Sequence, residues 1–138
     1  MKSRVVLMTL AVLVGGLFLL SMTSMQQQKA KPWKVPDNYL KMKNPAKNDA
    51  ATINAAKALW NKHCKSCHGA KGLGDGTKTA TLKTFPGDFS SAAFQGLSDG
   101  ELYYKTTTGR DEMPSYQKNI PDDDDRWALV HFMRTLKK

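Results

Sequence analysis

The apolar positions of this chain fall into three blocks separated by polar and glycine-rich sequence. Behind a short basic start at Lys2 and Arg4, Val5 to Leu20 runs without a charge, and Ser21 to Met25 extends the stretch. That is the pattern of an export signal, and its length also suits a bilayer span. A second block sets Ile53, Ala56 and Trp60 at helical spacing, with Ala55 and Leu59 beside them. Asp49 is placed to cap it, so a helix is expected from about Asp49 to His63. The third block is the stripe Leu129, Phe132, Met133 and Leu136, one face of a C-terminal helix opening after Pro121. Asp122 to Asp125 line its first turn and Lys137 and Lys138 its end, where the helix dipole favours each sign of charge. A capped helix start accounts for the four aspartates without a bound metal.

Between the last two blocks, Gly69, Gly72, Gly74, Gly76 and Gly87 are too frequent for regular helix, so Ala70 to Gly96 is expected to be largely irregular. Ser98-Asp99-Gly100-Glu101 reads as a capping box opening a short helix to about Thr106, with Leu102 and Tyr103 facing inward. Gly109 to Ile120 is then a loop containing Met113-Pro114. No segment alternates apolar and polar residues as a half-buried strand would, so the fold class is all-α with long loops. Three parts are expected: 1–25 as a signal peptide or membrane anchor, 26–48 as a Pro/Lys-rich linker, and 49–138 as the folded domain. The linker is marked by Gln26-Gln27-Gln28, Pro32, Pro36, Pro45 and several lysines, with Trp33 and Tyr39 able to pack back onto the domain.

A length of 138 residues suits one domain plus a targeting or anchoring segment. The formal charge is +9, and with Lys2 and Arg4 set aside the remainder carries 19 basic against 12 acidic residues. Such a balance suits acidic partners, although plain solubility explains it equally well. The leader places its basic end in the cytoplasm and the rest outside, on the periplasmic side of a bacterial inner membrane. No good small-residue cleavage site follows the apolar run, so a cleaved signal and a retained tether through residues 5–25 both stand.

The chain has two cysteines, both in Cys64-Lys65-Ser66-Cys67-His68, which excludes a disulfide scaffold. Two thiols three residues apart on a helical turn project to one side, and a histidine one turn beyond the first reaches the same region. Haem offers two vinyl groups on one edge, each able to form a thioether, and an iron that takes an imidazole. The pentapeptide therefore serves as a covalent haem c attachment site, with His68 as an axial iron ligand. A thiol–disulfide pair would call for a βαβ context, whereas a helix precedes this motif. A zinc site would need further ligands, and only His63 and His131 remain as nitrogen donors in the exported part.

A second axial ligand must come from elsewhere. His63 adjoins Cys64 and is badly placed for the far face of the ring, and His131 lies off the apolar stripe and is expected to face solvent. Met133 lies on that stripe as packing, and Met42 precedes the domain. Met113 sits in a Gly- and Pro-flanked loop able to cross the far face, stiffened by Pro114, and is the candidate sixth ligand. A thioether there favours ferrous iron and raises the potential relative to two imidazoles. The other nitrogen of His68 needs an acceptor, for which Pro86 in Phe85-Pro86-Gly87 is the candidate. Arg110, Tyr116 and Trp127 are candidates for the propionate region, or for ordinary packing.

These residues resemble class I cytochrome c, particularly the small bacterial mono-haem domains. The resemblance rests on Cys64-Lys65-Ser66-Cys67-His68-Gly69, Gly72-Leu73-Gly74-Asp75-Gly76, the stretch Leu82 to Phe89 around Pro86, Met113-Pro114-Ser115-Tyr116, and Arg126 to Leu136. It covers about Asp49 to Lys138. It implies three to five helices around one haem, first and last helices crossing where Ala56 and Trp60 meet Phe132, and His68 and Met113 as axial ligands. The function expected is single-electron transfer in a periplasmic respiratory or dehydrogenase chain, to redox protein partners with acidic docking surfaces. A haem subunit of a membrane complex and a ligand-sensing or peroxidase-like haem protein are the alternatives. No nucleic acid, no small-molecule substrate and no catalytic residues are expected.

Overall fold

In the computed structural model, residues 30–138 are described, and the expected leader at 1–25 lies outside them. Six α-helical segments occur among the described residues: α1 (Asp37–Leu40), α2 (Ala50–His63), α3 (Lys65–His68), α4 (Ala92–Gln95), α5 (Asp99–Thr108) and α6 (Asp123–Thr135). Three of them are single turns of 4 residues. A 3-10 turn spans Thr79–Thr81, and the described residues contain no strand, with isolated bridge positions that include the pair Arg110 and Met113.

The long helices begin where local chemistry predicts. Asp49 caps α2 by accepting from the Thr52 amide at 2.8 Å, and the Ser98 hydroxyl accepts from the Glu101 amide at 3.1 Å at the start of α5. Glu101 itself turns to Lys105, one helical turn on, at 2.6 Å. Asp122 caps α6 through the Asp124 amide at 2.9 Å.

Helices α2 and α6 form the main packing contact of the domain. Ala56, Trp60 and Phe132 share one buried core, with the Trp60 and Phe132 rings 5.5 Å apart, so the expected meeting of first and last helices is present. Helix α5 closes the other side of α6, where Tyr103 stacks on Trp127 at 4.0 Å. The core is thus aromatic-rich, which suits a small domain with few aliphatic side chains.

The buried arc of α6 is wider than its apolar stripe. Arg126, Trp127, Ala128 and Val130 are buried alongside Leu129, Phe132 and Met133. Tyr103 and the Ile120 carbonyl cover Trp127 and Arg126, and residues 39–46 lie along another part of the domain. Tyr39 packs on Tyr104 at 4.8 Å, and Asn44 donates to the Trp127 carbonyl at 2.9 Å. His131, expected to face solvent, is instead half-buried with its Nε2 at 2.9 Å from the Ala46 carbonyl.

Candidate haem site

The motif residues sit where α2 gives way to α3. The Cys64 amide still donates to the Trp60 carbonyl at 2.9 Å, and the His68 amide donates to the Cys64 carbonyl at 3.0 Å. This continuous turn brings Cys64, Cys67 and His68 to one wall of a cleft. Both cysteines are free thiols. Burial, reinforced by the neighbouring Cys67, pushes the Cys64 thiol up to about 12. It is therefore a neutral thiol rather than a surface nucleophile.

His68 is largely buried, and burial lowers its pKa to about 4, so the imidazole is neutral and keeps a nitrogen lone pair for a metal. Its Nδ1 is buried and makes no hydrogen bond of normal geometry. The Pro86 carbonyl nevertheless lies close enough to favour the protonated ring, opposing part of the effect of burial. Behind the imidazole stand Phe89 at 4.6 Å and Trp60 at 5.8 Å between ring centres. Trp60 also donates through Nε1 to the Gly69 carbonyl at 3.1 Å, tying the core of α2 to the residue after His68.

The glycine-rich stretch wraps this turn. The Gly74 amide donates to the His68 carbonyl at 2.9 Å, the Lys78 amide to the Ser66 carbonyl at 2.8 Å, and the Thr79 hydroxyl to the Cys67 carbonyl at 2.8 Å. A Cβ at Gly76 would come within 2.4 Å of the Ser66 carbonyl oxygen, so only glycine allows that approach.

Met113 lies on the loop after α5 and lines the same cleft as Cys64, Cys67 and His68. The Arg110 amide donates to the Met113 carbonyl at 2.7 Å, and the Met113 amide returns to Arg110 at 2.9 Å. Gly109 adopts φ 66°, and a Cβ there would meet the Pro114 carbonyl carbon at 2.4 Å, which forces the loop close against the end of α5. Further on, the Tyr116 hydroxyl donates to the His63 carbonyl at 2.7 Å and the Ser115 hydroxyl to the Thr107 carbonyl at 2.7 Å. The Ile120 carbonyl is held by the buried guanidinium of Arg126, which also pairs with Asp123. The loop therefore has a fixed course over the cleft.

Leu82, Thr84, Phe85 and Pro86 supply another part of the lining. Including its open mouth, the cleft encloses about 680 Å³. Free thiols and a neutral imidazole beside one mostly apolar cleft fit haem c, and the Met113 thioether lines the same cleft.

Of the other sequence candidates, Arg110 and Tyr116 line the cleft, whereas Trp127 packs in the core. The Arg110 guanidinium is engaged by the carbonyls of Lys31 at 2.8 Å and Pro32 at 3.0 Å, and lies 4.3 Å from the centre of the Trp33 ring. Neither His63, His131, Met42 nor Met133 reaches the cleft lining. Sequence reasoning missed Ala30 and Trp33 as cleft residues, and Glu112, whose carboxylate accepts from the Lys83 and Thr84 amides. The aromatic Trp33 in an otherwise polar segment was the one available signal. Among the described residues no cluster of three or more His, Cys, Asp or Glu forms a separate metal site, and no helix is long and apolar enough to cross a membrane.

Comparison with known proteins places these residues in a family. No curated protein matches the chain. A solved chain from a reducing HAO-like protein complex of Kuenenia stuttgartiensis is 30% identical with a TM-score of 0.60, over 79% of this chain and 52% of that one. The present chain thus spans about half the length of that relative. Residues 51–133 match the family described as cytochrome c oxidase, cbb3-type, subunit III, a stretch running from α2 to α6 and containing every cleft ligand candidate. The chain therefore belongs to this family of cytochrome c domains, whose covalent haem c serves electron transfer.

Proposed function

We propose that the chain is a single-electron carrier whose haem is attached through Cys64 and Cys67 and ligated by His68 and Met113, acting on the periplasmic side of a bacterial inner membrane. The observation that carries this reading is the convergence of both thiols, the His68 ring and Met113 on one cleft. When bound, haem supplies an iron that changes oxidation state by one electron. The chain's own residues do the rest. Phe89 and Trp60 pack beside the His68 ring, and the nearby Pro86 carbonyl is placed to accept its second N–H, which would make the ring a more basic ligand. Met113 offers a thioether, which favours the reduced state. Held by the surrounding fold, His68 and Met113 would need little rearrangement on a one-electron change.

Exposed Lys62, Lys65, Lys78 and Lys83 each lie within a few residues of a cleft-lining side chain and suit an acidic redox partner. The deciding experiment is Met113→Ala in the holoprotein. It should abolish the thioether-to-iron charge-transfer band of the ferric form, allow carbon monoxide to bind the ferrous form, and lower the potential. An unchanged spectrum and potential would show that Met113 is not the ligand. A wild-type protein that already binds carbon monoxide would favour the sensing or peroxidase-like alternative.

A second reading keeps the chemistry but changes the setting, with the domain serving as a haem subunit of a larger redox assembly. The matched family description names a subunit, and the solved relative comes from a protein complex. Membrane fractionation followed by native gels stained for haem distinguishes the two, and also reports whether residues 1–25 persist as an anchor with 26–48 as its linker.

A further inference from the structure

We propose that Glu112 is a positioning residue that clasps the Met113 loop to the Leu82–Pro86 segment and so sets how readily Met113 leaves the iron; the proposal rests on Met113 being the sixth ligand. The paired backbone bonds between Arg110 and Met113 close a tight turn with Asp111 and Glu112 at its tip. Asp111 takes φ 52°, the positive φ that the favoured two-residue hairpin turns place at their first central residue. The turn delivers the Glu112 carboxylate to a second stretch of chain. Its Oε2 accepts from the Lys83 amide at 2.9 Å and the Thr84 amide at 3.1 Å, while Oε1 lies 3.0 Å from the same Lys83 amide.

Three features make this more than a surface capping contact. First, an ionised acceptor makes a hydrogen bond stronger than a neutral pair does. Second, Leu82, Thr84, Phe85 and Pro86 line the cleft on one stretch of chain, and Glu112, Met113 and Pro114 on the other. Third, the clasped ends adjoin different axial ligands. Glu112 is next to Met113, and Thr84 is two residues from Pro86, whose carbonyl lies near the His68 ring. One carboxylate therefore joins the supports of both ligands. With the clasp released, the Met113 turn keeps its own backbone bonds but loses a link to the wall it faces, and its departure from the iron becomes easier.

The test uses the ferric holoprotein and imidazole as a competing ligand. Wild type, Glu112→Ala, Glu112→Gln and Met113→Ala are titrated, following the thioether-to-iron band and the imidazole-bound spectrum. Loss of a charge-assisted bond predicts about tenfold tighter imidazole binding in Glu112→Ala, with the band still present before titration. Glu112→Gln keeps one acceptor oxygen and should shift less. Equal shifts in both variants would mean that charge alone acts, and the clasp fails. An affinity in Glu112→Ala within twofold of wild type, even with lowered global stability, also overturns it. If Met113→Ala retains the band and the wild-type imidazole affinity, the ligand assignment itself is wrong and the clasp falls with it. In that case the two failures are told apart by the Met113 variant alone.

Discussion

The site is assembled from side chains whose usual roles are altered by burial, and Tyr116 shows this most directly. Its hydroxyl donates to the His63 carbonyl, and burial, reinforced by the nearby cysteines, raises its pKa to about 12 from the ordinary 10. Burial is the largest cause, so much of the shift survives when the thiols become thioethers. An acid whose folded pKa is raised contributes stability in its protonated form. That contribution is complete below pH 10, the unfolded value, and is lost as pH climbs towards 12. Replacing Tyr116 by Phe should cost about 0.5–1.5 kcal/mol below that window. The gap to wild type should then shrink across it, as read by urea denaturation at a series of pH values; a gap independent of pH would contradict the assignment.

Much of the residue-scale chemistry was legible because it is local. Cys64, Cys67 and His68 lie within one stretch of helix, and a repeating turn fixes their relative directions whatever the rest of the chain does. Met113 stood out as a methionine in a Gly- and Pro-flanked loop, and the structure brings it to the same cleft, partly buried against the core. Glu112 left no such trace. A carboxylate between Asp111 and Met113, near Gly109 and Pro114, looks like any solvated loop residue, and its acceptor role arises only when Lys83 and Thr84 are brought to it. His131 misled for a related reason. Off the apolar stripe it should face water, but the segment through Ala46 covers that side of the helix.

The elements carry two further tests. Ser98 caps α5, the helix that leads directly into the Met113 loop, by accepting from the Glu101 amide. Ser98→Ala should lower global stability by about 1 kcal/mol in chemical denaturation, with the haem spectrum unaltered. Gly76 offers the contrasting case. A methyl group there would press on the Ser66 and Cys67 backbone, which cannot yield as a side-chain tip can. Gly76→Ala should cost about 1–3 kcal/mol and reduce the yield of haem-loaded protein on a haem-stained denaturing gel. The three long helices were predictable because caps and periodicity agree. The glycine-rich wrap was predictable only as irregular chain, since its course is dictated by the Ser66, Cys67 and His68 carbonyls it meets.

For the whole molecule, the excess of lysine makes a measurable claim about encounter. Electron exchange with an acidic redox partner should slow steeply as ionic strength rises, because screening weakens steering between oppositely charged surfaces. Stopped-flow rates across a salt series read this directly, and a flat profile would remove the lysines from the docking argument. The path of residues 30–48 was the least legible part of the molecule. Prolines and lysines read as linker, yet Arg110 binds the Lys31 and Pro32 carbonyls and draws Trp33 to the cleft. A polar segment can be held by its backbone carbonyls, which no side-chain pattern advertises.

The course of the Met113 loop has a consequence for the order in which the protein takes shape. Cys64, Cys67 and His68 are neighbours along the chain, so the link on their side costs almost no loop-closure entropy. Met113 arrives only after the glycine-rich wrap, α4 and α5 have been laid down between it and His68. With Met113 as the sixth ligand, the iron–sulfur bond closes a long loop, while the thioethers and His68 remain attached even in an unfolded chain. The colour of the ferric protein would then gauge tertiary closure from within, fading at the first local opening of the loop and before the α2–α6 packing is lost.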